Sequence, residues 1–304
     1  MSGSPDVYGT EDLTRGGEVF RRLDPPARLC VFGDPVAHSA SPPMHNAALR
    51  ERGMDLQYVR IRVTPEELPE ALCALPAAGF LGASLTIPHK QAALPLMEEI
   101  SPEARLMGAI NTVAVREGKL HGFNTDGPGF SAAVMESCGR PLGSLRSLVL
   151  GGAGGAGRAI TVQCALEGCP GITIANRNRD KGEALALEIE AATGKKVTSV
   201  TLSDEELTAA LATSEFIVNT TPLGMKPEDP SPLPDGLLTA AHLVYDTVYS
   251  GGETALLRQA RAAGAKYEDG LSMLLHQGAL QNTLWFGEPA PLETMRAALK
   301  AART

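Results

Sequence analysis

Residues 147–159, SLVLGGAGGAGRA, decide the fold of this chain. An apolar strand-like run, Leu148–Leu150, meets a cluster of glycines and then a helix-forming stretch over Gly155–Glu167. Gly152-Ala153-Gly154-Gly155-Ala156-Gly157 satisfies G-x-G-x-x-G. Between a strand and a helix, each glycine has a physical task. The first permits the tight turn and the second lets the backbone approach a pyrophosphate. The third allows close helix–strand packing, with the helix N-terminus facing the anion. Glycine-rich turns are common, so the setting and not the pattern points to a dinucleotide.

The strand that follows chooses between dinucleotides. Ile172–Ala175 runs into Asn176-Arg177-Asn178-Arg179-Asp180-Lys181. An NAD site ordinarily ends this strand in Asp or Glu, which binds the ribose 2′-OH. Asn176 stands there instead, and three cations follow it. Guanidinium groups grip a phosphate bidentately, whereas cations clustered at a helix N-terminus oppose its macrodipole. An anion among them is the consistent reading, which favours NADP(H) over NAD(H).

Outward from this loop, strand-like and helix-like runs alternate. Ahead of it, Leu29–Gly33, Leu56–Val63 and Leu81–Ile87 read as strands. Ser41 reads as an N-cap, with Pro42 opening a helix that ends near Gly53. Thr64-Pro65-Glu66-Glu67 reads as a capping box opening a helix that stops by Gly79. Asn111–Val115 and Lys119–Phe123 form an expected hairpin about Arg116-Glu117-Gly118. Beyond the loop come a helix over Asp180–Ala192, a strand over Val197–Leu202 and a helix capped by Ser203. Phe216–Asn219 and Leu243–Thr247 are two further strands, and only helical signals follow Leu271. The Pro-rich stretch 222–236 reads as a surface loop. Such alternation predicts an α/β protein with parallel, doubly wound sheets.

The length of 304 residues suits two domains, and 43% hydrophobic residues fill their cores. With aromatics at 4%, those cores must be mostly aliphatic. A net charge of −8 argues against a nucleic-acid or anionic-membrane partner. No basic, then apolar leader opens the sequence, and no apolar run reaches a membrane span, so a cytoplasmic protein is expected. The five cysteines include no C-x-x-C pair, which suits free thiols and no metal site.

The residues before the loop carry the substrate chemistry. Ser39 and Ser41, in FGDPVAHSASPPMHN, sit two apart where a helix begins. Hydroxyls and helix amides together make a carboxylate cradle. Thr86 and Lys90 bracket a strand end in GASLTIPHK, with Pro88 fixing the backbone between them. Asn111 and Asp126 lie in GAINTVAV and GFNTDGPGF. Thr, Asn, Asp and Lys converging on one crevice suit a small polyhydroxylated ligand. Singly, each has a plainer reading as cap, turn residue or solvated side chain.

Taken together, H-S-x-S-P, T-I-P-H-K, G-A-I-N-T-V, N-T-D-G and G-A-G-G-A resemble the shikimate dehydrogenase family, in this order. N-R, D-x-x-Y and G-L-x-M-L-x-x-Q continue the series, so the resemblance runs from about Leu29 to Gly287. It implies an N-terminal α/β substrate domain, 24–125 with the C-terminal helices of 271–304 folded back onto it. It also implies a Rossmann-type NADP domain over 126–270, with residues 1–23 as an extension outside the family pattern. The implied activity is reversible reduction of 3-dehydroshikimate to shikimate with NADPH, by a monomer or homodimer in chorismate biosynthesis.

The resemblance implies roles as well. Lys90 and Asp126 become the catalytic pair, with Lys90 as general acid and base. Ser39 and Ser41 hold the substrate carboxylate; Thr86 and Asn111 bind ring hydroxyls; Gln277 and Tyr249 complete the substrate side. Arg177 and Lys181 clamp the 2′-phosphate beside Asn176. Gly152, Ala153, Gly154, Gly155, Ala156, Thr220, Gly270 and Met273 also line the cofactor site. Asn178 stands where Thr is common. Ser84, a further substrate-side position, departs from the family's usual Asn, and Asn282 stands where an aromatic is common. His89 is expected to be structural. These departures keep open a quinate/shikimate or aminoshikimate dehydrogenase with relaxed cofactor use. A non-catalytic ligand sensor on the same scaffold would be expected to lack Lys90 or Asp126; both are present.

Overall fold

The structure, a computed structural model, describes residues 7–249 and 252–303. Residues 1–6 of the expected extension, Ser250 and Gly251 of the D-x-x-Y segment's continuation, and Thr304 lie outside the described residues. The chain divides into two units, 1–125 with 275–304 and 126–274.

The first unit opens with β1 (Val7–Gly9), α1 (Thr10–Thr14) and α2 (Glu18–Arg21). Then come β2 (Ala27–Gly33), α3 (Ser41–Glu51), β3 (Gln57–Arg62), α4 (Leu68–Ala78), β4 (Gly82–Leu85) and α5 (His89–Ala92). β5 (Glu99–Ile100), α6 (Pro102–Met107), β6 (Thr112–Arg116) and β7 (Lys119–Phe123) finish this part. The strands form one sheet ordered β1-β3-β2-β4-β6-β7-β5. β2 is an interior strand, paired parallel on both sides and almost wholly buried, so it reads as a continuous apolar run, as parallel strands covered on both faces do. The sheet is not parallel throughout, because β6 pairs antiparallel with both β4 and β7. The hairpin turns on Glu117 and Gly118, at φ 52 and 77, the two left-handed positions of a two-residue turn.

Two expected helix starts move. Ala40 is the N-cap of α3, and Ser41 lies inside the helix. Pro42 and Pro43 offer no N–H at the second and third positions, leaving no donor there for a capping hydroxyl. The Ser39 hydroxyl instead accepts the Ser41 N–H at 3.3 Å. In the Thr64–Glu67 box only the reach-back half forms, Thr64 N–H to Glu67 Oε2 at 2.8 Å. The helix proper starts at Leu68. Pro69 has no N–H to close a helical bond onto Pro65, so the first regular turn begins later.

Residues 7–23 are part of this unit's core and not an appendage. β1 adds to the sheet edge parallel to β3, and Leu13 and Phe20 are buried at 1% and 0% exposure. Phe20 meets Tyr8 and Phe80 edge-on at 5.0 and 5.1 Å.

The second unit runs through α7 (Asp126–Cys138), β8 (Arg146–Leu150), α8 (Gly155–Leu166), β9 (Gly171–Ala175), α9 (Arg179–Thr193) and β10 (Thr198–Val200). α10 (Asp204–Leu211), β11 (Phe216–Asn219), β12 (Leu243–Asp246), α11 (Ala255–Ala262) and β13 (Lys266–Glu268) follow. α12 (Leu271–Phe286) then carries the chain across the boundary, and α13 (Leu292–Arg303) ends it. All six strands are parallel, in the order β10-β9-β8-β11-β12-β13. Counted within the unit, that is 3-2-1-4-5-6, the Rossmann order. The order reverses between β8 and β11, so the crevice at their carboxyl ends is where such a sheet takes a ligand. Among the described residues, no helix is long and apolar enough to cross a membrane.

Candidate active site

In the second unit, the glycine loop leaves β8 at that reversal. The tight turn falls at Gly151, at φ 78, one residue before the motif's first glycine. Gly152 serves packing instead, since a Cβ there would stand 2.5 Å from Ile174 Cγ2 on β9. At Gly157 a Cβ would collide with the Gly151 carbonyl and stand 2.5 Å from Thr220 Oγ1. Thr220 in turn donates its hydroxyl to the Leu150 carbonyl at 2.6 Å. By contrast, a Cβ on Gly155 would meet nothing within 4 Å, and one on Gly154 only the Gly151 carbonyl at 3.2 Å. The loop is therefore packed tightly inward and open outward over the start of α8. That is the shape a pyrophosphate needs.

The cations after β9 are fewer in effect than the sequence suggests. Arg179 is taken up by Glu206 at 2.6 Å and Glu183 at 3.7 Å. Arg177 and Lys181 are exposed. Asn178 caps α9 by accepting the Lys181 N–H at 2.9 Å, and Asn176 Nδ2 donates to the Asn178 carbonyl at 2.8 Å. These bonds hold the strand end where Arg177 projects.

A buried carboxylate organises the opposite side of this unit's ligand edge. Asp246 accepts from Asn219 Nδ2 at 2.9 Å, Val248 N–H at 3.1 Å and the Thr254 hydroxyl at 2.7 Å. Burial pushes its pKa up, while the three donors pull it down. Gly270 is required because a Cβ would collide with the Thr247 carbonyl. The Met273 N–H donates to Tyr245 Oη at 3.0 Å. Tyr249 is partly buried, which raises its phenol pKa. Asp126, 6% exposed, heads α7.

In the first unit, Ser39 and Ser41 lie at the start of α3, Ser39 half-buried and Ser41 at 7% exposure. Arg60 on β3 donates to the Ser39 carbonyl from Nε at 3.2 Å and from its terminal nitrogen at 2.7 Å. Its guanidinium therefore stands against the serine loop, and partial desolvation lowers its pKa. Beyond β4, Thr86 N–H bonds to the Phe32 carbonyl at 3.0 Å and His89 N–H to the Thr86 carbonyl at 2.9 Å. The Lys90 carbonyl accepts the Ile110 N–H at 2.7 Å. The backbone bearing Lys90 is thus pinned before and after it, with the side chain half-buried. His89 is fully buried, its Nε2 2.8 Å from the Val63 carbonyl, and burial lowers its pKa. Its role is to anchor this turn.

Asn111 is 1% exposed and centres a polar cluster. Its Oδ1 accepts the Thr125 N–H and the Thr112 hydroxyl, each at 2.8 Å. Its Nδ2 donates to Thr125 Oγ1 at 2.9 Å and to Gln277 Oε1 on α12 at 3.4 Å. Of the substrate-side residues expected from the sequence, Ser39 with Ser41 and Asn111 with Gln277 are in contact. Ser84 instead turns inward, 5% exposed, between Tyr58 and Gln281. Tyr58, Arg60, Thr125 and Gln281 escaped the sequence reading. Thr125 lies within N-T-D-G but its partner Asn111 is at the far end of the hairpin in sequence, and Tyr58, Arg60 and Gln281 meet their partners only once the chain has folded.

Comparison with known proteins gives a consistent result. The Shikimate dehydrogenase substrate binding domain matches residues 31–113, and the Shikimate 5'-dehydrogenase C-terminal domain matches 270–300. A shikimate dehydrogenase (NADP(+)) of Symbiobacterium thermophilum is 45% identical over 277 residues, covering 90% of this chain and 94% of that one. The crystal structure of shikimate 5-dehydrogenase from Thermus thermophilus with NADP(H) and shikimate superposes with a TM-score of 0.81 at 40% identity, covering 91% and 99% of the two chains. That of the Listeria monocytogenes enzyme with shikimate and NAD gives 0.85 at 33% identity, covering 91% and 98%.

Proposed function

This chain belongs to the shikimate dehydrogenase family, and we propose how its residues perform that family's reaction. It is an NADP-dependent oxidoreductase that interconverts 3-dehydroshikimate and shikimate in the shikimate pathway. When bound, NADPH supplies a hydride to the ring carbonyl carbon. The carbonyl oxygen then needs a proton, and Lys90 donates it, taking it back in the oxidation direction. Asp126 is the second member of the proposed catalytic pair; it belongs to the other unit, so its part in the reaction is a matter for mutation. Ser39 and Ser41 hold the substrate carboxylate, with the Arg60 charge behind their loop. Thr86, Asn111 and Gln277 bind ring hydroxyls, and Tyr249 contributes from the second unit. Arg177 and Lys181 would hold the 2′-phosphate beside Asn176 and Asn178, and the glycine loop with Thr220, Gly270 and Met273 would line the rest of the cofactor site. The protein works in the cytoplasm as a monomer or homodimer, without nucleic acid.

The observation that supports this most is the pinned backbone on both sides of Lys90. An ammonium held on a fixed main chain suits proton transfer better than it suits solubility. Relaxed cofactor use is a second reading, favoured by the loss of Arg179 to two glutamates.

The test is initial rates with shikimate and quinate, each with NADP⁺ and NAD⁺. Activity confined to shikimate and NADP⁺ is expected. Comparable rates with NAD⁺ or quinate would replace the strict assignment by the relaxed one. Lys90→Ala should lower kcat about a hundredfold or more with NADPH binding intact. Near-parental turnover in that variant would remove Lys90 from the chemistry.

A further inference from the structure

A chain of buried hydrogen bonds runs behind the substrate side of the first unit and ends on the main chain of Asn111. His45 on α3 and Tyr58 on β3 are fully buried and stack with ring centres 4.5 Å apart. The Tyr58 hydroxyl donates to Ser84 Oγ at 2.7 Å, and Ser84 donates to Gln281 Oε1 at 2.8 Å. His45 Nε2 lies 3.3 Å from the same oxygen. Since that oxygen only accepts, His45 carries its proton on Nε2, and its buried Nδ1 has no hydrogen-bond partner among the described residues. Gln281 Nε2 then donates to the Asn111 carbonyl at 3.3 Å.

Gln277, one helical turn before Gln281, meets the Asn111 side chain at 3.4 Å. α12 thus grips Asn111 twice, once by its side chain and once by its backbone. The helix lies close enough because residue 278 is glycine. A Cβ there would collide with Met44 Cε and stand 3.5 Å from His45 Nε2. Gln281 itself is 1% exposed, so its carboxamide is enclosed by these partners.

Ser84 sits beside this carboxamide, donating to Gln281 Oε1 at 2.8 Å. Serine carries one polar atom beyond Cβ, whereas an asparagine at 84 would bring a carboxamide of its own to the same neighbourhood.

We propose that Gln281 is a positioning residue, whose carboxamide holds Asn111 in the orientation that meets a ring hydroxyl of the cyclic polyol substrate. The weak Asn111–Gln277 contact is the one a substrate hydroxyl replaces; the Gln281 contact to the backbone stays. This rests on Asn111 being a substrate contact, so Asn111→Ala is measured alongside.

The experiment compares KM for shikimate, KM for NADP⁺, kcat and melting temperature across variants. Gln281→Ala and the volume-matched Gln281→Leu should raise KM for shikimate about tenfold, as a lost buried hydrogen bond does. KM for NADP⁺ should stay within about twofold. Asn111→Ala should raise KM for shikimate at least as much. Ser84→Asn placed on Gln281→Ala should restore KM to within about threefold of the parent, by returning the carboxamide from the strand side. A lowered melting temperature with unchanged KM in both Gln281 variants would reduce Gln281 to a core residue and overturn the proposal. A double variant no better than Gln281→Ala would overturn it too. An Asn111→Ala enzyme with parental KM would remove the substrate contact itself, and the proposal with it.

Discussion

The two edges proposed to meet ligands, one in each unit, are built by opposite means. In the second unit the edge is main chain: a turn at Gly151, close approaches at Gly152 and Gly157, and the open start of α8. In the first unit it is side chain: Asn111, Thr112, Thr125 and Gln277 joined by hydrogen bonds, with Gln281, Ser84, Tyr58 and His45 buried behind them. A backbone cradle needs absence of side chains, and glycine is the residue that provides absence. A side-chain network needs complementary donors and acceptors, and many residue sets can provide those.

That contrast makes distinct demands on mutation. Gly157→Val should be the most damaging change, because backbone and the Thr220 hydroxyl leave no room for side-chain atoms. It should cost about 3 kcal/mol in urea unfolding, the upper end of the usual overpacking range, and weaken NADPH binding tenfold or more. Ordinary stability with parental NADPH affinity would show the loop to be looser than its contacts imply.

The side-chain edge should instead register pH. Burial lowers the His45 pKa to about 4, and His89 moves the same way. Both stay neutral in the folded protein while the unfolded chain takes up protons below about pH 6.5. Stability is therefore present above that pH and lost as pH falls toward 4. For His45 alone the loss between pH 7.5 and 5 is about 2 kcal/mol. His45→Gln, which keeps a donor for Gln281, should flatten that part of the slope. An unchanged slope would mean that another group carries it.

The smallest effect concerns Asn282, fully buried with neither amide atom bonded among the described residues. Asn282→Leu should raise stability by about 1 kcal/mol through removing two unsatisfied polar groups. Destabilisation would reveal a partner for that amide in solution.

Much of the fold was legible. The G-x-G-x-x-G run between strand and helix, with alternating elements after it, anticipated the doubly wound second sheet. The hairpin about Glu117-Gly118 was legible because its turn chemistry is local. The edge strand Val7–Gly9 was not, since three residues of an edge carry little pattern and their partner, β3, lies some fifty residues on. The start of α3 was not legible, because capping depends on which amides remain to be capped, and two prolines remove them. The pairing of Arg179, one of three clustered cations, was not legible because Glu206 reaches it only after the chain has folded.

Sequence by itself determined the two-unit α/β plan, the family and the residue types available for chemistry. These follow from periodicity, from glycine's freedom and from contiguous motifs, all of which are properties of neighbours in the chain. Tertiary structure decided which groups are already spent: Ser84 on Tyr58 and Gln281, Arg179 on its glutamates, Asn178 on the α9 cap. A hydrogen bond forms between atoms about 3 Å apart, whatever their separation in sequence, so only the folded chain assigns its donors and acceptors.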